Sequence, residues 1–293
     1  MEPRISSDDI REAIANLPIL SPNVSRLLQV LSTDDYELDD VVNIVKYDAA
    51  LTAKVLKVAN SPVFGLVNPV TTLDRAISYL GKWIVISIIL SDNTGELFHK
   101  PLEGYDGGQN ALWRHDLFAA FSSSEVARLA KHDFEAELAF TAGLLHDIGK
   151  FVFSPFWEKV VPEALGHIEE GSMADYLEAE RSLTGMDHAQ IGYEMARHWD
   201  FPEPLQQAIL YHHTPQQAPE EFRALAFAAH LGDMCAMMAG CDTGNDGMQY
   251  PLDDGYSEFF DLTSESLAQI LLEAEIQFKK AISSLSVEEE VDK

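Results

Sequence analysis

Residues 41–65 read VVNIVKYDAALTAKVLKVANSPVFG, and the fold class turns on this stretch. Val41, Val42, Ile44 and Val45 belong to one helix that begins near Leu38. Ala50 to Ala59 reads as the next helix. Asn60-Ser61-Pro62 ends it, because Pro62 cannot continue the hydrogen-bond ladder and Asn60 and Ser61 can cap exposed ends.

The same pattern extends in both directions. Upstream, Asp8 and Asp9 are cap candidates for a helix over 8–16, with Ile10, Ala13 and Ile14 on one face and Leu17-Pro18 as its stop. Val24, Leu27, Leu28 and Leu31 form an amphipathic stripe. Downstream, Leu73 to Leu80 is a helix closed by Gly81. Trp83 to Leu90 reads as a buried helix, although its β-branched content also suits a strand. Residues 100–110, KPLEGYDGGQN, read as a linker. Further helices are expected over 111–131, 135–150, 156–169, 173–182, 187–199, 203–212, 221–240 and 263–284. An acidic loop occupies 241–257, and the tail 286–293 is expected to fray. The expected fold is all-α: an N-terminal helical subdomain (1–100), a linker (101–110), a helical core (111–240), and an acidic loop with a C-terminal helix (241–293).

The chain has 293 residues, with 20 Lys and Arg against 48 Asp and Glu, a formal charge of −28. That balance argues against a nucleic-acid or anionic-membrane partner, since both require a surface that neutralises phosphate. A small phosphorylated ligand held at one local cationic site remains compatible. Two cysteines, Cys235 and Cys241, make no disulfide framework and read as reduced thiols. The N-terminus lacks an apolar signal core, and the run Trp83 to Leu90 is too short to span a bilayer, so a cytoplasmic location is expected.

Histidine and aspartate are unevenly placed in the second half. In order come His115, the pair His146-Asp147, His188, the pair His212-His213, and Asp233. Each sits in or at the end of an apolar helical segment. Neutral imidazole and carboxylate together suit divalent Fe, Mn, Ni or Zn, and ligands from several helices can converge inside a bundle. Two ions close together could clamp a phosphoryl oxygen and activate water. Lys150, one helical turn after Asp147, could pair with a phosphate. His99, His132, His167 and His198 read as ordinary polar positions.

The order H, HD, H, HH, D, with LLHDIGK (144–150) and MDHAQIGYEMARHW (186–199), resembles the HD superfamily of metal-dependent phosphohydrolases. LPILSPNVSRLLQVL (17–31), residues 41–65 and TTLDRAISYLGKW (71–83) resemble an HDOD domain, as do Leu112 to His115 and WDFPEPLQQAILYHH (199–213). The resemblance implies an N-terminal helical bundle packed on an HD-like helical core, and a signalling or regulatory module of bacteria. Many HDOD domains have lost part of the ligand set; here it is nearly intact. The resemblance assigns His115, His146, Asp147, His188, His212, His213 and Asp233 as ligands of one or two divalent ions (Fe, Mn, Ni, Zn or Mg). It assigns Asp147 and Lys150 to catalysis if the site is active. The related HD-GYP proteins hydrolyse cyclic di-GMP. This chain departs from them in having Thr214-Pro215-Gln216-Gln217 after the double histidine, and Ala111 where a carboxylate would serve a further metal.

Two functions follow as alternatives. One is a regulatory module that binds a signalling protein or a small phosphorylated ligand. The other is a metal-dependent phosphohydrolase or phosphodiesterase acting on a nucleotide or cyclic dinucleotide. In either case imidazole protonation should eject the ion as pH falls through about 6.5. Metal content measured across that range should fall, and full occupancy about two units lower would contradict the ligand assignment.

Overall fold

The computed structural model describes residues 5–33, 37–64, 68–98, 100–132 and 134–285, with backbone only at Leu38, 91–98 and 284–285. Gly65, His99 and the tail 286–293 lie outside the described residues. The fold is all-α. In chain order the helices are α1 (Ser7–Ala15), α2 (Pro22–Leu31), α3 (Leu38–Lys46), α4 (Ala49–Ala59), α5 (Leu73–Leu80), α6 (Lys82–Phe98), α7 (Ala111–Ala127), α8 (Ala136–Leu145), α9 (Gly149–Trp157), α10 (Val161–Glu169), α11 (Tyr176–Thr184), α12 (His188–His198), α13 (Glu203–Tyr211), α14 (Glu220–Met238) and α15 (Ser264–Leu285). The described residues form no strand beyond isolated bridges at Leu102–Gly107 and Ala130–Phe260. No described helix is long and apolar enough to cross a membrane.

The chain divides into two compact units. One comprises Leu20–Glu96 with Glu275–Lys293, and the other Met1–Ile19 with Leu97–Ala274. In the smaller unit, Val24, Leu27, Leu28 and Leu31 of α2 are buried, as are Val41, Ile44 and Val45 of α3 and Leu51, Val55 and Val58 of α4. The break after α4 is held by Asn60. Its side-chain amide donates to Leu56 O and Val70 O, both at 2.8 Å, and its Oδ1 accepts from Val70 N at 2.7 Å. Gly81 closes α5 at φ +76°, with its N–H donating to Ile77 O. Residues 83–90 are helical within α6.

In the larger unit α1 packs on α9 and α12. Residues 101–110 belong to this unit, with Leu102 and Tyr105 buried. Helix α7 packs on both α8 and α14. Gly232 allows that approach: a Cβ there would lie 2.6 Å from Ala119 O and 2.0 Å from Ser123 Oγ. Small residues thus bring together the helices that carry His115 and Asp233, and the one that ends at His146.

Several boundaries differ from the sequence expectation, among them the end of α6, which runs on to Phe98 and not to Leu90. The helix expected over 111–131 stops at Ala127, because Leu129 O and Lys131 N pair with Asp261 N and Phe259 O. The helix expected over 135–150 breaks at His146–Ile148 into α8 and α9. At the break Gly149 lies against the start of α12, where a Cβ would stand 1.9 Å from His188 O. The helix expected over 156–169 starts only at Val161, because Gly149–Trp157 is a separate helix.

Asn60→Ala leaves the N–H and C=O of Val70 without their side-chain partner. A loss of about 1–3 kcal/mol is expected in urea denaturation, and a loss below about 0.3 kcal/mol would contradict the clamp.

Candidate metal centre

His115 projects from the first turns of α7 and His146 caps α8. Asp147 occupies the break that follows. His188 begins α12 behind Asp187, whose side chain accepts from Gln190 N in a capping box. His212 and His213 follow the end of α13, and Asp233 lies within α14. All seven side chains are buried, and all meet around Asp147.

Two groups share that carboxylate. Asp147 Oδ2 lies 3.4 Å from His115 Nε2 and 3.6 Å from His146 Nε2. Asp233 Oδ1 faces the same nitrogens at 3.2 and 3.7 Å. On the other side Asp147 Oδ1 lies 3.3 Å from His188 Nε2 and 3.5 Å from His212 Nε2. His213 Nε2 is 3.0 Å from His188 Nε2.

The outer nitrogens explain why the inner ones converge. His115 Nδ1 donates to Cys241 O at 2.7 Å, His146 Nδ1 to Gly143 O at 2.8 Å, and His212 Nδ1 to Ile209 O at 2.7 Å. His188 Nδ1 lies 2.7 Å from Glu180 Oε2. A carbonyl only accepts, so each of those Nδ1 atoms carries the proton and each neutral Nε2 turns a lone pair inward. His115 Nε2 and His146 Nε2 then face each other at 3.2 Å. Such a pair repels unless a proton or a cation lies between. Asp147 Oδ1, Asp233 Oδ2 and His212 Nε2 have no hydrogen-bond partner. These orphaned inward atoms, mixed N and O in type, fit a divalent ion, and the two sets Asp147–His188–His212–His213 and His115–Asp116–His146–Asp147 each have the spacing to hold one.

The electrostatics agree. Burial opposes ionising Asp147, but Lys150 first, then His146, His212 and His188, hold its carboxyl well below the usual range. Asp233 is likewise lowered against burial, by His115 and His146. Burial opposes the imidazolium of His115, yet Asp233 and Asp147 outweigh it and raise this histidine. On the other side burial, assisted by His146 and His188, pulls His212 down to about 4. Burial, His212 and His188 lower His213 further below its ordinary value.

Lys150 adjoins the cluster. Its Nζ lies 2.7 Å from Asp147 Oδ2 and 2.6 Å from Asp246 Oδ2, and donates to Thr243 Oγ1 at 3.0 Å. Three buried acids near the centre were not singled out in the sequence. Glu180 orients His188 and accepts from Tyr105 OH at 2.7 Å. Asp246 neutralises Lys150. Asp116, 3.9 Å from His146 Nδ1, has neither oxygen hydrogen-bonded, and burial raises its pKa well above the carboxylate range. Only Asp116 left a local signal, a second His-Asp pair at 115–116. Neither cysteine is in a disulfide; Cys235 is buried and its thiol is pushed up to about 12 by burial and Asp233.

Residues 17–215 match the HDOD domain family. The chain belongs to that family. An uncharacterized protein of Treponema pallidum (strain Nichols) is 25% identical over 234 residues, 77% of this chain but 43% of that protein. The chain therefore spans less than half of that relative. A candidate signal transduction protein from Marinobacter aquaeolei VT8 has a similar fold, with a TM-score of 0.73 and 22% identity over 94% of this chain and 64% of its own. A candidate phosphohydrolase from Shewanella amazonensis SB2B aligns with a TM-score of 0.59 and 23% identity, covering 93% of this chain and 97% of its own. These two structures share the fold of this chain at an identity too low to transfer an activity.

Glu180→Gln replaces the acceptor that fixes His188. Divalent-metal affinity, measured by competition with a chelating dye, should fall about 10–100-fold. An unchanged affinity would show that the Glu180 carboxylate does not tune the site through His188.

Proposed function

We propose that this HDOD chain is a bacterial signalling module whose larger unit holds one or two divalent ions at His115, His146, Asp147, His188, His212, His213 and Asp233. The observation that carries this reading is the ring of inward-facing Nε2 atoms around Asp147, each of four histidines tied down at its other nitrogen. A bound ion would act as a Lewis acid toward phosphoryl oxygens and water. Fe, Mn, Ni, Zn and Mg are all compatible with the donor set, the nitrogen-rich side favouring the first four. The partner is a signalling protein or a small phosphorylated ligand. The charge of −28 disfavours nucleic acid and anionic membrane.

Enclosure of the centre favours regulation over turnover. Lys150, the residue suited to hold a phosphate, is itself buried and ion-paired to both Asp147 and Asp246. His213 lines two surface hollows, of about 330 and 310 Å³. One observation favours the second reading, a phosphohydrolase or phosphodiesterase: Asp147 presents one oxygen to each histidine group, so a single carboxylate could serve two ions. In that reading Asp147 and Lys150 are the residues nearest the chemistry.

The test is a screen of phosphomonoesters, phosphodiesters and nucleotides against the full chain with Mn, Fe, Mg and Ni. Bound metal without turnover above background is expected. Turnover well above background that disappears in Asp147→Ala would replace regulation with catalysis.

A further inference from the structure

The segment between α14 and α15 lies against the buried centre and is fastened to it by main-chain and side-chain contacts. Cys241 O receives the Nδ1 proton of His115 at 2.7 Å. Asn245 N donates to Tyr105 O at 2.7 Å, and Tyr176 OH donates to Asn245 Oδ1 at 3.1 Å. Thr243, Asp246 and Tyr250 are buried although none lies in a helix. The ring of Tyr250 stacks on His213, with centroids 4.0 Å apart and planes at 23°.

Asp246 occupies a nest of donors. Lys150 Nζ lies 2.6 Å from Oδ2, Thr243 Oγ1 donates to Oδ1 at 2.8 Å, and Tyr250 OH donates to Oδ2 at 3.2 Å. An ammonium and two hydroxyls around one anionic group is also the donor set that a phosphoryl group requires. The same Lys150 Nζ is 2.7 Å from Asp147, so this nest borders the metal centre directly. The two surface hollows meet at His213, Thr214 and Pro251, on the outer side of Tyr250. A ligand arriving there is separated from Lys150 by Tyr250 and Asp246.

We infer that residues 243–250 are a built-in inhibitor: Asp246 holds the anion position beside Lys150, and a small phosphorylated ligand reaches it only by displacing Asp246 and lifting Tyr250 from His213. This deepens the regulatory reading and rests on it, since the ligand's other side would face the metal centre. The segment then couples ligand binding to the surface. Met248 and Gln249 within it and Leu252 just beyond it are exposed and would move with it, which gives a partner protein a ligand-dependent face to read.

The experiment uses the full chain with inorganic phosphate as the probe, with Mn²⁺ or with chelator, and metal content measured on every sample. Asp246→Asn should bind phosphate at least about tenfold tighter than the wild type. Adding Lys150→Met to that variant should abolish the gain. Tyr250→Leu leaves the charge unaltered and should also tighten phosphate binding; it serves if Asp246→Asn does not fold. In the wild type, saturating phosphate should raise amide hydrogen exchange over 243–251 by about threefold or more. Equal phosphate affinity in the wild type and both single variants, with unchanged exchange, would overturn the inference. A chain that carries metal but gives that result loses the inhibitor and keeps the metal centre. A chain that takes up no metal yet gains phosphate binding in both variants keeps the inhibitor and loses the metal centre.

Discussion

The structure depends on one electrostatic problem. Backbone carbonyls and Glu180 hold the outer nitrogens of four histidines, so their inner nitrogens point at each other and at two aspartates inside a closed core. Such an arrangement is costly when empty, because bare lone pairs and carboxylate oxygens at 3–4 Å repel one another in a medium that screens poorly. A proton relieves part of the repulsion, and the raised pKa of His115 and His146 records that tendency. A divalent ion relieves it better, since it satisfies several donors at once.

The rest of the larger unit serves to hold these groups in place. Small residues draw α7 and α14 together, which sets His115 opposite Asp233. The break after α8 turns Asp147 so that its two oxygens serve opposite sides. Pressing Gly149 against the start of α12 brings His188 to the second side. The far edge, where His213 meets Tyr250, borders a surface hollow, so events at the centre can be felt there.

Much of this was legible in the sequence, and the remainder was not for identifiable reasons. The apolar spacing in 24–31 and 41–59 marks the buried faces of α2, α3 and α4 directly, because those helices are amphipathic. Gly81 and Asn60 are readable as terminators since their roles are local. The seven residues around Asp147 were found from their order and from family resemblance; periodicity alone could not show that they meet. Glu180 and Asp246 left no trace, because their partners His188 and Lys150 are 8 and 96 residues away. The break at His146–Ile148 was missed for a similar reason. LLHDIGK has no Pro or turn cluster, and the close approach of Gly149 to His188 O joins residues 39 positions apart.

The most direct measurement is the number of divalent ions per chain, by elemental analysis of protein purified without chelator, compared with Asp147→Asn. The account predicts one or two ions in the wild type and a clear loss in the variant. A wild-type chain that carries none and takes up none when Mn²⁺, Fe²⁺, Ni²⁺, Zn²⁺ and Mg²⁺ are offered would contradict it.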